Sequence, residues 1–443
     1  MKSLTFQEKK TTSEPANWIT FLAMTGILSM SMGMGGFKLL QNGGMVLIIL
    51  SSVLALPSVW QKIRRDPIFY MTLVFLVYLT ARTIFAQFEL PDWTDDHWDR
   101  ARRMSRVMLL PLVAFWISRK PHWLKYIFAM FAIGVFLAIL LGIWEAGGIQ
   151  FLFDHERIRF KLNPQRMGYA SVLVFIGLII FRQHIIILSK KYFSIYGAWV
   201  LWGISAWLSF QVFLVSQARG AILGFIVLSV ILITMLIWKT IFDSQPFQKR
   251  KISFPAILIL LFLVASASFF QKDNFTKRFA AESDVIQQLL SGDIDDLRIT
   301  SISIRFKLWI TGYNAWLEKP FLGWGTDAAQ KVISQADVPQ RIRELNHFHN
   351  TYIDILVRFG LIGFFILGSI MYMILKTLYI AHKNQKMNNQ NFLLLAYGIL
   401  FFLLVNITES HLIPSWGWFM LILLGGSIYS YKFTEPNKKT IQY

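Results

Sequence analysis

The chain has 443 residues, of which 55% are hydrophobic and only 16% charged, with a formal net charge of +19 and no cysteine. Soluble domains carry roughly 45–50% apolar and about 25% charged residues, so the composition excludes an ordinary soluble globule and points to a bundle whose outer surface is apolar too. The missing cysteines exclude disulfides, thiolate metal sites and thiol catalysis.

Residues 1–17 are polar and carry Lys2, Glu8, Lys9, Lys10 and Glu14. A secretory signal would set its apolar region close behind a short basic start and end in a small-residue cleavage site. Here the first apolar run reads instead as a retained helix. Runs of about 17–25 apolar residues are long enough to cross a bilayer. They predict helices near 18–35, 45–60, 68–88, 107–118, 124–146 and 166–182. Six more are predicted near 194–215, 220–238, 253–271, 350–375, 391–408 and 415–431. The expected fold is all-α, a polytopic membrane protein of about twelve transmembrane helices. It divides into helices one to nine over 1–271, a large loop over 272–348, and the last three helices with a tail over 349–443. That loop is too polar to span and too long for a bare linker. Apolar residues at helical spacing in 284–290 and 299–317 predict short amphipathic helices within it.

With the N-terminus inside, alternate connections are short and basic, holding Lys62, Arg64, Arg65, Arg119, Lys120, Lys190, Lys191, Lys249, Arg250 and Lys251. The other connections mix both signs of charge and include the long loop. Lysine and arginine in short loops set orientation, so both termini are expected inside and the long loops outside. The +19 is then mostly topology, and nucleic acid is not expected as a partner. Tryptophans near helix ends (Trp93, Trp98, Trp123, Trp416) suit an interfacial belt.

Three outer elements carry candidate chemistry. Arg219, within Ser216-Gln-Ala-Arg-Gly220, sits at a helix mouth, where it either anchors at the interface or meets an anion. Arg298 and Arg305 are seven apart and share a helical face, with Lys307 close by. Two guanidiniums there suit a diphosphate, because the planar fork pairs bidentately with phosphate oxygens; a solvated amphipathic face is the alternative. His347-Phe-His349-Asn350 precedes the span near 350. A neutral histidine can take a proton from a hydroxyl, though either one alone also suits a helix-end hydrogen bond. A metal reading of His-x-His needs more ligands at suitable spacing, and none is expected. Asp95-Asp96 and Asp293-x-Asp295-Asp296 read mostly as solvated, with an Asp-x-Asp holding a divalent cation for glycosyl transfer as the alternative, while Glu409 is placed to orient a base or bind a substrate hydroxyl.

In their order these motifs resemble the bacterial O-antigen ligase and O-antigen polymerase superfamily. The resemblance rests on Ser216 to Gly220, on Arg305 with Trp309 and Pro320-x-x-Gly-Trp-Gly325, and on His349-Asn-Thr-Tyr352 leading into Phe359-Gly-Leu-Ile-Gly363. It covers 216–363. Arg358 departs from it, since many members carry an acidic or neutral residue there. The resemblance implies a GT-C-like glycosyltransferase of the bacterial inner membrane with its active site facing the periplasm. Its donor would be an undecaprenyl-diphosphate-linked glycan and its acceptor a lipid A-core sugar, a growing glycan or a protein. Arg219 and Arg305 would hold the donor diphosphate and His349 would deprotonate the acceptor. Arg298, Lys307, His347, Asn350 and Glu409 would support them, with inversion and with no metal or cofactor. Metal-dependent oligosaccharyltransferases are similar in topology but place an acid in the first outer loop, and 36–44 has none. Ligase is the first expectation. Protein-glycosylating relatives often have a longer C-terminal part, whereas twelve residues follow the last predicted span here. A lipid or sugar transporter is the alternative from another class. It would place ionisable groups in mid-span, yet Arg82, Glu145 and Asp354 all lie towards span ends.

Overall fold

A computed structural model describes residues 14–153, 160–242 and 300–434, apart from 90, 92, 93, 190, 191 and 193, together with 288. Every regular element among them is helical. In chain order these are α1 (Asn17–Gly33), α2 (Lys38–Leu54), α3 (Leu56–Ile63), α4 (Pro67–Glu89), α5 (Thr94–Met104) and α6 (Leu109–Arg119). There follow α7 (Leu124–Glu145), α8 (Pro164–Ile180), α9 (Arg182–Ser189), α10 (Ile195–Val215) and α11 (Arg219–Phe242). The rest are α12 (Ser301–Glu318), α13 (Ala328–Gln335), α14 (Gln340–Arg343), α15 (Thr351–Lys383), α16 (Asn389–Val405) and α17 (Ser415–Phe433). Several starts are fixed by side chains that accept from otherwise orphaned N–H groups. Asn163 caps α8, which has Pro164 in its first turn, and Ser194 caps α10. Thr300 and Ser303 form a reciprocal box at α12, and Asn350 caps α15.

Among the described residues, four helices are long and apolar enough to cross a membrane: α4, α7 with the turn before it, α10 and α15. The number is six if each of two bent pairs is one span. About twelve spans are predicted from the sequence, so the described residues carry part of that number, and the predicted span at 253–271 lies outside them. Two predicted spans fall on the bent pairs. The chain turns by 91° between α2 and α3 and by 73° between α8 and α9. Pro57, in the first turn of α3, cannot donate to the preceding turn, which ends α2. The predicted 107–118 span is an 11-residue helix, α6, entered through a 3-10 turn. The amphipathic helix predicted at 299–317 is α12, whereas 284–290 lies outside the described residues apart from 288.

The centre of the bundle is α17, where 16 of 19 residues are buried; a helix apolar on all sides needs packing all round. It lies against α6 and α15, with α16 and α1 also in contact. By contrast α4 and α10 expose Tyr70, Val77, Phe85, Val200 and Ile204. Hydrocarbon accepts such a surface and water does not.

One backbone device positions the site. The α15 helix breaks at Gly360, whose φ of 59° is left-handed. The break leaves the carbonyls of Val357 and Arg358 and the N–H groups of Leu361 and Ile362 without helical partners. The 320–325 turn supplies all four. Trp324 and Gly325 donate to Val357 and Arg358 at 2.7 and 3.0 Å, while Leu361 and Ile362 donate to Pro320 and Phe321 at 2.8 and 3.2 Å. Glycine is required because a Cβ at 360 would stand 2.2 Å from the Phe321 carbonyl oxygen, and one at Gly323 2.6 Å from Arg358 backbone. The two Gly-rich motifs read separately in the sequence are therefore halves of one joint. Gly360→Ala is expected to lower stability by at least about 2 kcal/mol in thermal unfolding. Gly368→Ala, in the same helix with nothing within 4 Å, is the control and is expected to be neutral or slightly stabilising.

Candidate functional site

The starts of α8, α11, α15 and α17 and the ends of α10 and α16 gather at one face of the bundle. At its centre is Glu409, in the turn between α16 and α17. His349 Nδ1 lies 3.1 Å and His347 Nε2 3.2 Å from the same Glu409 oxygen. A carboxylate can only accept, so each of these nitrogens carries the proton. His347 Nδ1 also contacts Asn346 Oδ1 at 2.7 Å, so both its nitrogens are engaged. His349 Nε2 has no partner among the described residues. His349 holds φ 51°, a left-handed conformation that non-glycine residues rarely adopt and that recurs at functional positions. Asn350 fixes that turn by accepting from the N–H groups of Tyr352 and Ile353. Thr351 N–H donates to the Asn406 carbonyl at 2.9 Å, tying the segment to the end of α16. Burial alone would raise the Glu409 carboxyl, but hydrogen bonds and charge from the two histidines outweigh it and hold Glu409 well below the usual carboxylate range.

Cations surround this carboxylate. Arg305 Nε donates to the Thr408 carbonyl at 3.2 Å and Nη1 to Ser301 Oγ at 2.7 Å. Burial pulls Arg305 below its ordinary value and the charge of Glu409 opposes this. The first turn of α11, which begins at Arg219, abuts the same corner: a Cβ at Gly220 would stand 1.9 Å from Thr408 Oγ1. Arg166, in the first turn of α8, also feels the Glu409 charge. A cavity of about 860 Å³ opens beside His347, His349 and Glu409 and is lined further by Arg100, Arg103, Lys161 and Arg166.

Of the residues expected from the sequence, Arg219, Arg305, His347, His349 and Glu409 come to this corner, and Asn350 serves it as a cap. Lys307 lines a separate cavity of about 480 Å³ with Glu318, Trp324 and Lys331. Arg298 lies outside the described residues. Arg166 and His411, which were not singled out in the sequence, join the site. Asn163-Pro164 before Arg166 is the signal that could have placed it at a helix start.

A buried polar network stands behind the site. Arg358, fully buried, meets Asp327 at 3.0 Å and Asp354 at 3.4 Å, and Arg100 meets Asp327 at 2.8 Å. Asp354 in turn accepts from the Phe348 N–H and the Ser410 hydroxyl, one residue away from His349 and Glu409. Arg82 donates to the carbonyls of Leu322 and Gly323 at 3.0 and 2.8 Å. His97 Nδ1 accepts from the Asp327 N–H at 2.8 Å.

Two buried histidines make the fold acid-sensitive. Burial pushes His411 down to about 4, with the Glu409 charge opposing and the Arg166 charge adding. Burial also lowers His97, the charge of Asp327 opposing and those of Arg358 and Arg82 adding. In the unfolded chain a histidine titrates near 6.5. As pH falls from about 6.5 toward 4, the unfolded chain therefore binds protons that the folded chain refuses, and stability drops. For His411 alone the loss reaches about 3 kcal/mol at pH 4. Thermal unfolding in detergent from pH 7.5 to 4.5 is expected to show this fall and a shallower one for His411→Gln; equal slopes would remove His411 from the account.

The sequence offers no ligand set at metal spacing, but the fold assembles one. One ligand atom each of His347, His349 and Glu409 lies within 4.8 Å of the others, close enough to hold a divalent cation. Arg166 and Arg305 already offset the Glu409 charge, which weakens its pull on a further cation.

The helices and this cationic corner define a multi-pass membrane protein with a His–Glu pair open to a polar cavity. Residues 204–368 match the family model described as O-antigen ligase. That match, over somewhat more than a third of the chain, supports the O-antigen ligase superfamily, whose members are membrane ligases and polymerases of glycosyltransferase type acting on lipid-linked glycans. No curated protein matches the chain. The matched segment includes Arg219, Arg305, His347 and His349, while Arg166 and Glu409 lie on either side of it.

Proposed function

We propose that the chain is an O-antigen ligase, moving a glycan from undecaprenyl diphosphate to a sugar of the lipid A-core at the periplasmic face of the inner membrane. The observation that carries this is His349: its Nδ1–H is committed to Glu409, so its Nε2 is left as a proton acceptor beside a cavity with Arg219 and Arg305 at the same corner. Nε2 takes the acceptor hydroxyl proton as the hydroxyl oxygen forms its bond to the anomeric carbon. The bond from that carbon to the diphosphate oxygen breaks and the electron pair leaves with the diphosphate. Arg219 and Arg305 stabilise that growing charge, a largely electrostatic task. Attack opposite the leaving group inverts the anomeric centre, and no cation is needed beyond the two guanidiniums. Glu409 holds the His349 tautomer and stabilises the imidazolium, as a carboxylate does in other carboxylate–histidine pairs.

The test is a deletion strain complemented with wild type, Arg219→Ala or Arg305→Ala and read on a lipopolysaccharide gel. Both variants are expected to lose the polymer-bearing bands while lipid-linked polymer accumulates. A ladder cut to single repeats would instead mean a polymerase. Transfer by the purified wild type is expected to survive chelation; loss on chelation and recovery with a divalent metal would overturn the metal-free mechanism.

A further inference from the structure

Next to the 860 Å³ cavity lies a second of about 350 Å³, and the two share Arg103, Lys161, Leu162, Arg166 and Pro414. The second runs on to Arg106, Gln41, Asn42 and Lys38 at the start of α2. Among the described residues that line this trough, six cations (Lys38, Arg100, Arg103, Arg106, Lys161 and Arg166) stand against one carboxylate, Glu409. Three of the six are neutralised elsewhere: Arg100 by Asp327, Arg103 by Asp99 and Lys161 by Glu145. Arg106, Arg166 and Lys38 have no side-chain ion pair among the described residues. Arg106 is half-buried over the Phe419 ring, 5.0 Å from its centre, and its Nη1 is buried with no hydrogen-bond partner among the described residues. Withdrawing a guanidinium from water without a counter-charge costs several kcal/mol, so such a cluster is built for an anion that arrives from outside. Neither Arg219 nor Arg305 is among the residues lining either cavity; Arg305 donates to the Thr408 carbonyl, beside Glu409, and Gly220, the neighbour of Arg219, abuts Thr408.

We infer that this trough is the acceptor site and that the acceptor carries a phosphate group bound by Arg106, Arg166 and Lys38. The inference rests on the transfer reading above and names the chemistry of its second substrate. His349 and Glu409 line the trough, whereas the two arginines assigned to the donor do not, so the base faces the occupant of the trough across from the donor diphosphate. A phosphate at the Arg106–Arg166 end orients the glycolipid so that a sugar hydroxyl reaches His349 Nε2, and guanidinium forks suit phosphate oxygens. An uncharged glycan or peptide acceptor would leave Arg106 and Lys38 without a counter-charge among the described residues, and Arg166 with only the Glu409 carboxylate that two histidines and Arg305 already share.

The test uses purified full-length protein, a lipid-linked glycan donor, and lipid A-core acceptor before and after enzymatic removal of its phosphate esters. Arg106→Gln and Lys38→Gln are compared with wild type; Lys38 is exposed, so its variant folds even if the Arg106 one does not. For the phosphorylated acceptor each is expected to raise the acceptor KM, about 10- to 100-fold for Arg106→Gln, with the donor KM unchanged. For wild type, removing the phosphates is expected to raise the acceptor KM similarly, and on that acceptor the variants lose nothing more. Inorganic phosphate is expected to compete with acceptor and not with donor. Equal losses on both acceptors would overturn the inference, and a raised donor KM would assign the trough to the donor diphosphate instead. No transfer by wild type to either acceptor would mean the transfer reading fails, which is a different result from transfer without phosphate dependence.

Discussion

His349→Ala is expected to lower kcat by about 10²–10⁴ with the protein still folded and the donor KM unchanged, the range set by loss of a positioned general base. The expectation rests on an asymmetry within the His347–Glu409–His349 cluster. Both rings donate to one carboxylate oxygen, but of the two only His349 retains a ring nitrogen without a partner among the described residues. His347→Ala should therefore cost much less, since it removes a support for Glu409 and leaves the proton acceptor in place. Glu409→Gln should approach the His349→Ala loss, because an amide can offer its NH2 to Nδ1 and so favour the tautomer with the proton on Nε2. Single-turnover rates with saturating donor separate these cases. The same series distinguishes a base from a cation site. Three metal ligands would make His347→Ala as damaging as His349→Ala, and chelation would mimic both. A graded series that ignores chelation leaves the base as the only consistent reading.

Much of this corner was legible in the sequence, and the parts that were not have physical reasons. Arg219, Arg305 and His349 lie next to helix starts, and helix starts are encoded locally by caps and turns, so three short motifs announced them. Glu409 was visible as an acid just past a span, but its pairing with two histidines some sixty positions away depends on how α15 and α16 cross, which periodicity does not encode. The trough cations escaped for the same reason. Arg103, Arg106, Lys161 and Arg166 read as outer-loop charge, and only packing shows which of them keep a carboxylate partner. Spans were clear where apolar runs exceed about 20 residues. They were least clear where Pro57 or a short helix such as α6 interrupts them, because hydropathy measures length and composition and not direction.

Arg358 shows how a residue that departs from a family pattern can be central to the fold, and it gives the largest expected effect on stability. Its side chain has no exposure, and it bridges Asp327 and Asp354 while donating to the Thr326 carbonyl at 2.5 Å. Arg358→Ala is expected to destabilise the protein by about 3–5 kcal/mol, the usual cost of removing one partner from a buried ion pair. Most of that cost is the burden of carboxylates left unpaired, so a compensating change should recover part of it. Arg358→Met combined with Asp354→Asn removes charge of both signs and is expected to be more stable than Arg358→Ala alone. Arg358→Lys is not expected to substitute, since one ammonium cannot reproduce a fork that meets two carboxylates and a carbonyl. The loss should also reach the site. Asp354 accepts from the Phe348 N–H and the Ser410 hydroxyl, so releasing it loosens the residues beside His349 and Glu409. At a temperature where Arg358→Ala remains folded, kcat should therefore fall with little change in donor KM, and Asp354→Asn should reproduce part of that fall. An Arg358→Ala protein as stable as wild type would mean that the network is spectator charge and that the Gly360 joint alone holds the 320–327 segment in place.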